Sequence, residues 1–281
     1  MSENSGILLI DKEAGMTSFD VCSRLQKVFF TRQIGHTGTL DPNATGLLIV
    51  LVNKATKILP YLKNDVKEYI AELRLGIHTD TGDIWGKSDC TAAVPELNEE
   101  MISDTLSSFL GKQFQTPPKY SAIKVKGRKL YEYARHQQEV EIQPREIEIY
   151  DMELLSLTKD GFVFRAVVSS GTYIRSLCED IAVRLNTLGT MSSLRRIRIS
   201  SFKVENALKL CDVSADTPLL DIAGILNLPL FEYENISDIL NGRDIDIACN
   251  EERVLIRCQN TSLAVYQRRS EGRYHCERGL W

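Results

Sequence analysis

The sequence predicts an α+β fold, with one large mixed domain followed by a small β domain. Three observations predict it. Short apolar runs suited to buried strands are interspersed with stretches whose apolar residues recur at helical spacing. Residues 146–156 and 162–169 alternate well enough to form a strand pair, with Lys159-Asp160-Gly161 as the turn. Near 212–230 the character changes. There Pro218 and Pro229 bracket a short apolar segment, and only brief strand-like runs follow.

Taken in order, residues 6–12 (Gly-Ile-Leu-Leu-Ile-Asp-Lys) read as a buried strand. Thr17 and Asp20 form a capping-box pattern that opens a helix, whose apolar face is Val21, Leu25, Val28 and Phe29. Residues 46–52 read as a second buried strand, following a Gly- and Thr-rich loop that carries Asp41. Residues 69–76 read as a third, before a turn-rich stretch from His78 to Gly86. A helix is expected over 99–110, with Ile102, Leu106, Phe109 and Leu110 on one face and Gly111 as its stop. Another is expected from Tyr173 to Leu185, striped by Ile174, Leu177, Ile181 and Leu185, with Gly189 just beyond. In the last part, residues 254–257 and 263–266 are the strand-like runs of the small domain. The domains expected are residues 1–220 and 225–281.

The bulk numbers narrow the function. The chain has 281 residues, 43% hydrophobic and 26% charged, as an ordinary globular protein does. No apolar run approaches the roughly 18 residues of a membrane span, and the first residues lack a signal-peptide pattern. A cytoplasmic location is therefore expected. The seven cysteines include no C-x-x-C pair, which speaks against zinc-ribbon and thioredoxin-like chemistry. Net charge is −4, yet basic residues cluster. Lys119, Lys124, Lys126, Arg128, Lys129 and Arg135 are interleaved with Tyr120, Tyr131 and Tyr133, and Arg195, Arg196, Arg198 and Lys203 form a second group. Cations tracking a phosphate backbone, with rings for base stacking, suit nucleic acid; taken alone, each run also fits a solvated charged face.

Three segments are candidates for chemistry. Gly35-His36-Thr37-Gly38-Thr39-Leu40-Asp41-Pro42-Asn43-Ala44-Thr45-Gly46 lacks the Gly-Lys-Ser/Thr ending of a P-loop and the glycine spacing of a dinucleotide fingerprint. By itself an Asp before Pro reads as a turn residue. Asp80-Thr81-Gly82 matches an aspartic-protease tripeptide, but that chemistry needs a second carboxylate sharing a proton, so a turn is the better reading. Ser169-Ser170-Gly171-Thr172-Tyr173-Ile174-Arg175 joins a strand to a helix. It places Arg175 in the first turn, where the helix dipole disfavours a cation, so pairing with a carboxylate in a cleft explains it better than a surface position.

Together these segments resemble the TruB family of bacterial tRNA pseudouridine synthases, and the resemblance runs nearly end to end. Its blocks are Gly6 to Lys12 with Gly15-Met16-Thr17-Ser18, Gly35 to Gly46, Lys67-Glu68-Tyr69, Thr79 to Asp83, Pro117 to Lys124 with Gly127, Tyr131, Ala134 and Arg135, Gly171 to Arg175, and Leu194-Arg195-Arg196. Glu13, Asn186 and Thr190 stand where the family commonly has Pro, Gly and His. Asn241-Gly242-Arg243 is the best fragment of a PUA-like domain.

The resemblance implies a mixed, mostly antiparallel central sheet with flanking helices, plus a small C-terminal PUA-like RNA-binding domain. It implies isomerisation of the uridine at position 55 in the TΨC loop of tRNA to pseudouridine by base flipping, without metal or other cofactor, in a monomer that touches no membrane. Asp41 would be the catalytic carboxylate, by attack on the ribose or by promoting a glycal-type elimination. Arg175 would hold its charge, and Tyr69, also catalytic, would stack on the base and lend its hydroxyl to the proton removal that finishes the reaction. His36 would fill the space left by the flipped nucleotide, and Leu194 would line the pocket beneath the base. Lys12, Asp83, Lys124 and Arg196 complete the expected RNA-binding set. Two rival readings are a guide-RNA-dependent pseudouridine synthase and a non-catalytic RNA chaperone. A tRNA-folding role can also coexist with catalysis.

Overall fold

The computed structural model describes residues 5–62, 66–136, 138–226, 228–259 and 261–280. The chain divides into two compact units, Met1–Pro42 with Gly46–Lys63 and Val204–Trp281, and Asn43–Thr45 with Asn64–Lys203.

In the first unit the Gly6–Lys12 strand pairs antiparallel with Thr45–Val52, Ile7 opposite Leu51, and parallel with Leu208–Lys209. The short Ile34–His36 strand also pairs with Thr45–Val52. Both long strands are buried almost throughout, which is why they read as continuous apolar runs rather than alternating ones. The Ser18–Val28 helix begins as expected. Thr17 Oγ1 accepts from Asp20 N–H at 3.1 Å, and Thr17 N–H donates to an Asp20 carboxylate oxygen at 2.8 Å. Val21 and Leu25 pack on Leu8, Ile10, Leu48 and Val50.

The same unit holds the small β domain. Its five strands run in the spatial order Leu230–Glu232, Arg253–Cys258, Thr261–Ser270, Arg273–Gly279 and Ile245–Asp246. Val254, Ile256, Tyr266 and Tyr274 form its core. The buried phenols stay hydrogen-bonded: Tyr266 donates to Arg243 O and Tyr274 to Glu251 O.

The second unit is an antiparallel sheet in the order Gly189–Ile199, Lys67–Leu75, Gly161–Val168, Arg145–Thr158 and Gly111–Gln115. The Arg145–Thr158 and Gly161–Val168 strands form the expected pair. The Ile174–Arg184 helix buries Ile174, Leu177 and Ile181, and Leu185 is buried just past its end. Asn186 follows at φ 57°, a left-handed position that explains why glycine suits this site and why asparagine is tolerated.

The chain thus has the expected α+β class, with mostly antiparallel pairing and a PUA-like β domain. Two local expectations change. The Glu99–Ser107 helix ends before Leu110, which is exposed although Phe109 is buried. Gly189–Ile199, where no element is expected from the sequence, is a long strand. No described helix is long and apolar enough to cross a membrane.

Candidate active site

The Asp41 loop hangs from the first unit's core. His36 ends its short strand opposite Val50, and Thr37 N–H donates to Ile49 O at 3.1 Å. After Asp41, which is half-buried, the chain returns as Thr45–Val52. Three groups from earlier in the chain grip the loop. Lys12 Nζ donates to the carbonyls of Glu13 at 2.9 Å, Met16 at 2.8 Å and Pro42 at 2.9 Å. The Gly15 N–H also donates to Pro42 O, at 3.1 Å. Ser18 Oγ meets both backbone groups of Leu40.

Lys12, expected in the RNA-binding set, is 1% exposed, and its ammonium serves three carbonyls. A lysine at the end of a buried strand, just before a Gly-containing turn, is the sequence signal for such an anchor. Lys12→Met keeps the aliphatic bulk and strands those carbonyls. It is expected to lower unfolding stability by about 3 kcal/mol, read from the urea midpoint. An unchanged midpoint would refute the anchoring role.

The second unit carries the other candidates. Along Lys67–Leu75 the residues Lys67, Tyr69, Ala71, Leu73 and Leu75 face the buried side. Arg196 lies across from Tyr69 and Leu194 across from Ala71, so Tyr69, Leu194 and Arg196 share one sheet face. All three are buried, and Arg196, expected in the RNA-binding set, is 1% exposed. On the opposite face Glu68 is gripped by Arg198 Nε at 2.6 Å and Arg165 Nη1 at 3.0 Å. Burial opposes ionisation of Glu68, but the bonds from the two arginines outweigh it and hold its carboxyl below the usual range. This bridge ties three adjacent strands behind Tyr69.

Arg175 sits in the first turn of its helix and is almost fully buried. Its guanidinium donates to Thr81 O at 2.7 Å and Tyr120 O at 2.9 Å, two anchors not apparent from sequence because they are backbone carbonyls of distant segments. Asp83 accepts from Thr81 Oγ1 at 2.8 Å and from the Trp85 N–H at 3.2 Å. The Asp80-Thr81-Gly82 stretch is thus the turn expected of it, and Asp83 closes it. Lys124 is exposed on a two-stranded hairpin, Lys124–Val125 with Arg128–Lys129. Lys129 and Arg135 both lie over the Tyr131 ring, at 5.5 and 5.3 Å from its centroid.

A cleft of about 1000 Å³ opens beside Thr81 and Tyr120, lined also by His78, Asp89, Glu179 and Asp180. Burial pushes the carboxyls of Glu179 and Asp180 above their usual range. Its acidic wall suits a phosphate backbone poorly. Among the described residues no group of His, Cys, Asp and Glu is arranged to hold a metal.

Comparison with known proteins places these features in context. The family model "TruB family pseudouridylate synthase (N terminal domain)" matches residues 26–174. The tRNA pseudouridine synthase B of Clostridium novyi is 44% identical over 214 residues, 75% of this chain and 73% of that protein. The tRNA pseudouridine synthase B of Dehalococcoides mccartyi is 37% identical over 284 residues, 96% of this chain and 94% of that protein. In fold, the chain resembles a protein in a structure of an H/ACA ribonucleoprotein bound to a substrate RNA containing 2'-deoxyuridine. The TM-score is 0.72 at 22% identity, covering 98% of this chain and 85% of the other.

Proposed function

Because the chain belongs to the TruB family of pseudouridylate synthases and is a tRNA pseudouridine synthase, an isomerase, we propose that its target is uridine 55 in the TΨC loop and that Asp41 is its catalytic carboxylate. What carries this reading is the Asp41 loop. It presents a half-buried carboxylate between two backbone positions gripped by Lys12, Gly15 and Ser18, inside the span that the family model matches.

The reaction breaks the bond from uracil N1 to ribose C1′ and forms one from C5 to C1′. The C5 proton leaves and N1 gains one, so no electrons pass to an acceptor and no redox cofactor is needed. Asp41 acts at the sugar, by attack on C1′ or by promoting elimination to a glycal. Arg175, held by Thr81 and Tyr120, supplies the opposite charge. Tyr69 stacks on the flipped base above the apolar surface of Leu194, and His36 fills the place the base leaves. Arg196 supports Tyr69 from the neighbouring strand. Lys124 and its hairpin take phosphates, while Lys12 and Asp83 shape the loops that surround the RNA. Residues 1–220 perform the chemistry, and residues 225–281 add a PUA-like contact to tRNA. The enzyme works as a cytoplasmic monomer without guide RNA.

Loop shape should dominate recognition, so an isolated T-stem-loop is expected to be turned over at a rate comparable to whole tRNA. The assay is release of tritium from 5-tritiated uridine. Turnover on whole tRNA but none on the fragment would contradict this mode of recognition.

A further inference from the structure

Ser18, the first residue of the Ser18–Val28 helix, is 1% exposed, and none of the roles above assigns it a part in the reaction. Its hydroxyl grips a single residue of another segment. It accepts from the Leu40 N–H at 2.9 Å and donates to the Leu40 carbonyl at 3.3 Å. Leu40 is itself buried and directly precedes Asp41. A hydroxyl bonded to both the N–H and the C=O of one residue fixes where that residue sits and how it is turned.

The support behind Ser18 is stiff. Its helix is locked at the start by the Thr17–Asp20 bonds and is packed through Val21, Cys22 and Leu25. On the other side of Asp41, Lys12 Nζ and the Gly15 N–H hold the Pro42 carbonyl. Asp41 therefore stands between two clamped neighbours, and Ser18 supplies the clamp on its N-terminal side.

We propose that Ser18 is a positioning residue for Asp41: by fixing Leu40 it sets where the carboxylate meets the ribose of the flipped uridine. The proposal rests on the reading of Asp41 given above. A misplacement of roughly 1 Å at a reacting group costs about a hundredfold in rate, and a leucine peptide released from its clamp can shift by that much. Such a shift should leave tRNA affinity alone, because phosphate contacts elsewhere carry it.

The test compares Ser18→Ala and Ser18→Cys with the wild type and with Asp41→Asn, measuring kcat and KM on full-length tRNA by tritium release, and stability by urea unfolding. Ser18→Ala is expected to lower kcat roughly thirty- to hundredfold, with KM within about twofold of wild type. Ser18→Cys, nearly isosteric but a weaker hydrogen-bonding group, should fall between. Should the alanine variant fail to fold, the cysteine variant carries the same comparison. Wild-type kcat in the folded Ser18 variants beside an inactive Asp41→Asn would overturn the role of Ser18 alone. A loss expressed in KM rather than kcat would overturn it equally. Turnover by Asp41→Asn would instead remove the reading of Asp41, and this proposal with it.

Discussion

Asp41→Asn is expected to lower turnover by about 10⁴-fold or more, the scale of loss seen when a group acting directly on the reacting bond is removed. Asparagine keeps the shape of the side chain and can hydrogen-bond, but it can neither form an ester with C1′ nor carry the charge that assists departure of uracil. The loop should survive, because Lys12, Gly15 and Ser18 anchor it through the backbone of Leu40 and Pro42. The affinity for tRNA should stay within about threefold, since basic residues rather than the nucleophile dominate RNA binding. Parallel tritium-release and filter-binding assays separate the two effects. A variant that loses tRNA binding along with turnover would show that Asp41 acts in folding or binding instead.

Arg175→Ala is expected to cost about 10²- to 10³-fold in kcat, the range found when one preorganised electrostatic partner is lost from an active site. It should also weaken the fold, because the Thr81 and Tyr120 carbonyls lose a buried donor that bridges two distant segments. Arg175→Lys separates the contributions. Lysine restores the charge but has no planar fork to reach both carbonyls and a carboxylate together. It should recover part of the stability and little of the rate. Full recovery of kcat by lysine would mean that charge alone matters and that the guanidinium geometry is incidental.

The parts legible in the sequence were those coded locally. Gly6–Lys12 and Thr45–Val52 declare themselves because strands buried on both faces are apolar throughout, and the Thr17–Asp20 box marks a helix start within four residues. The parts that escaped depend on tertiary pairing. The Gly189–Ile199 strand carries Arg195, Arg196 and Arg198, and such a run reads as a charged surface until its register across from Tyr69 is known. Nothing local shows that Arg196 is buried. Leu110 fits the helical apolar stripe, yet the helix stops at Ser107 and leaves it in solvent.

The same limit applies to the candidate site. Asp41, taken alone, is a turn residue before a proline, and only in company with the other family blocks does it read as a catalytic group. Lys12 and Asp83 belong to those blocks, so both were expected to touch RNA. The structure bonds Lys12 to three carbonyls and Asp83 to its own turn, contacts that membership of a block does not announce. Ser18 lies in one of those blocks too, but its hold on Leu40 was not legible, because a serine at the start of a helix is common and the contact spans 22 positions.

Mass-spectrometric mapping of pseudouridine in an unmodified tRNA transcript treated with the purified protein alone tests the assignment of uridine 55 and Asp41 together. One new pseudouridine is expected, at position 55 of the TΨC loop, and none with Asp41→Asn. An unmodified transcript, or pseudouridine formed elsewhere in the tRNA, would contradict it.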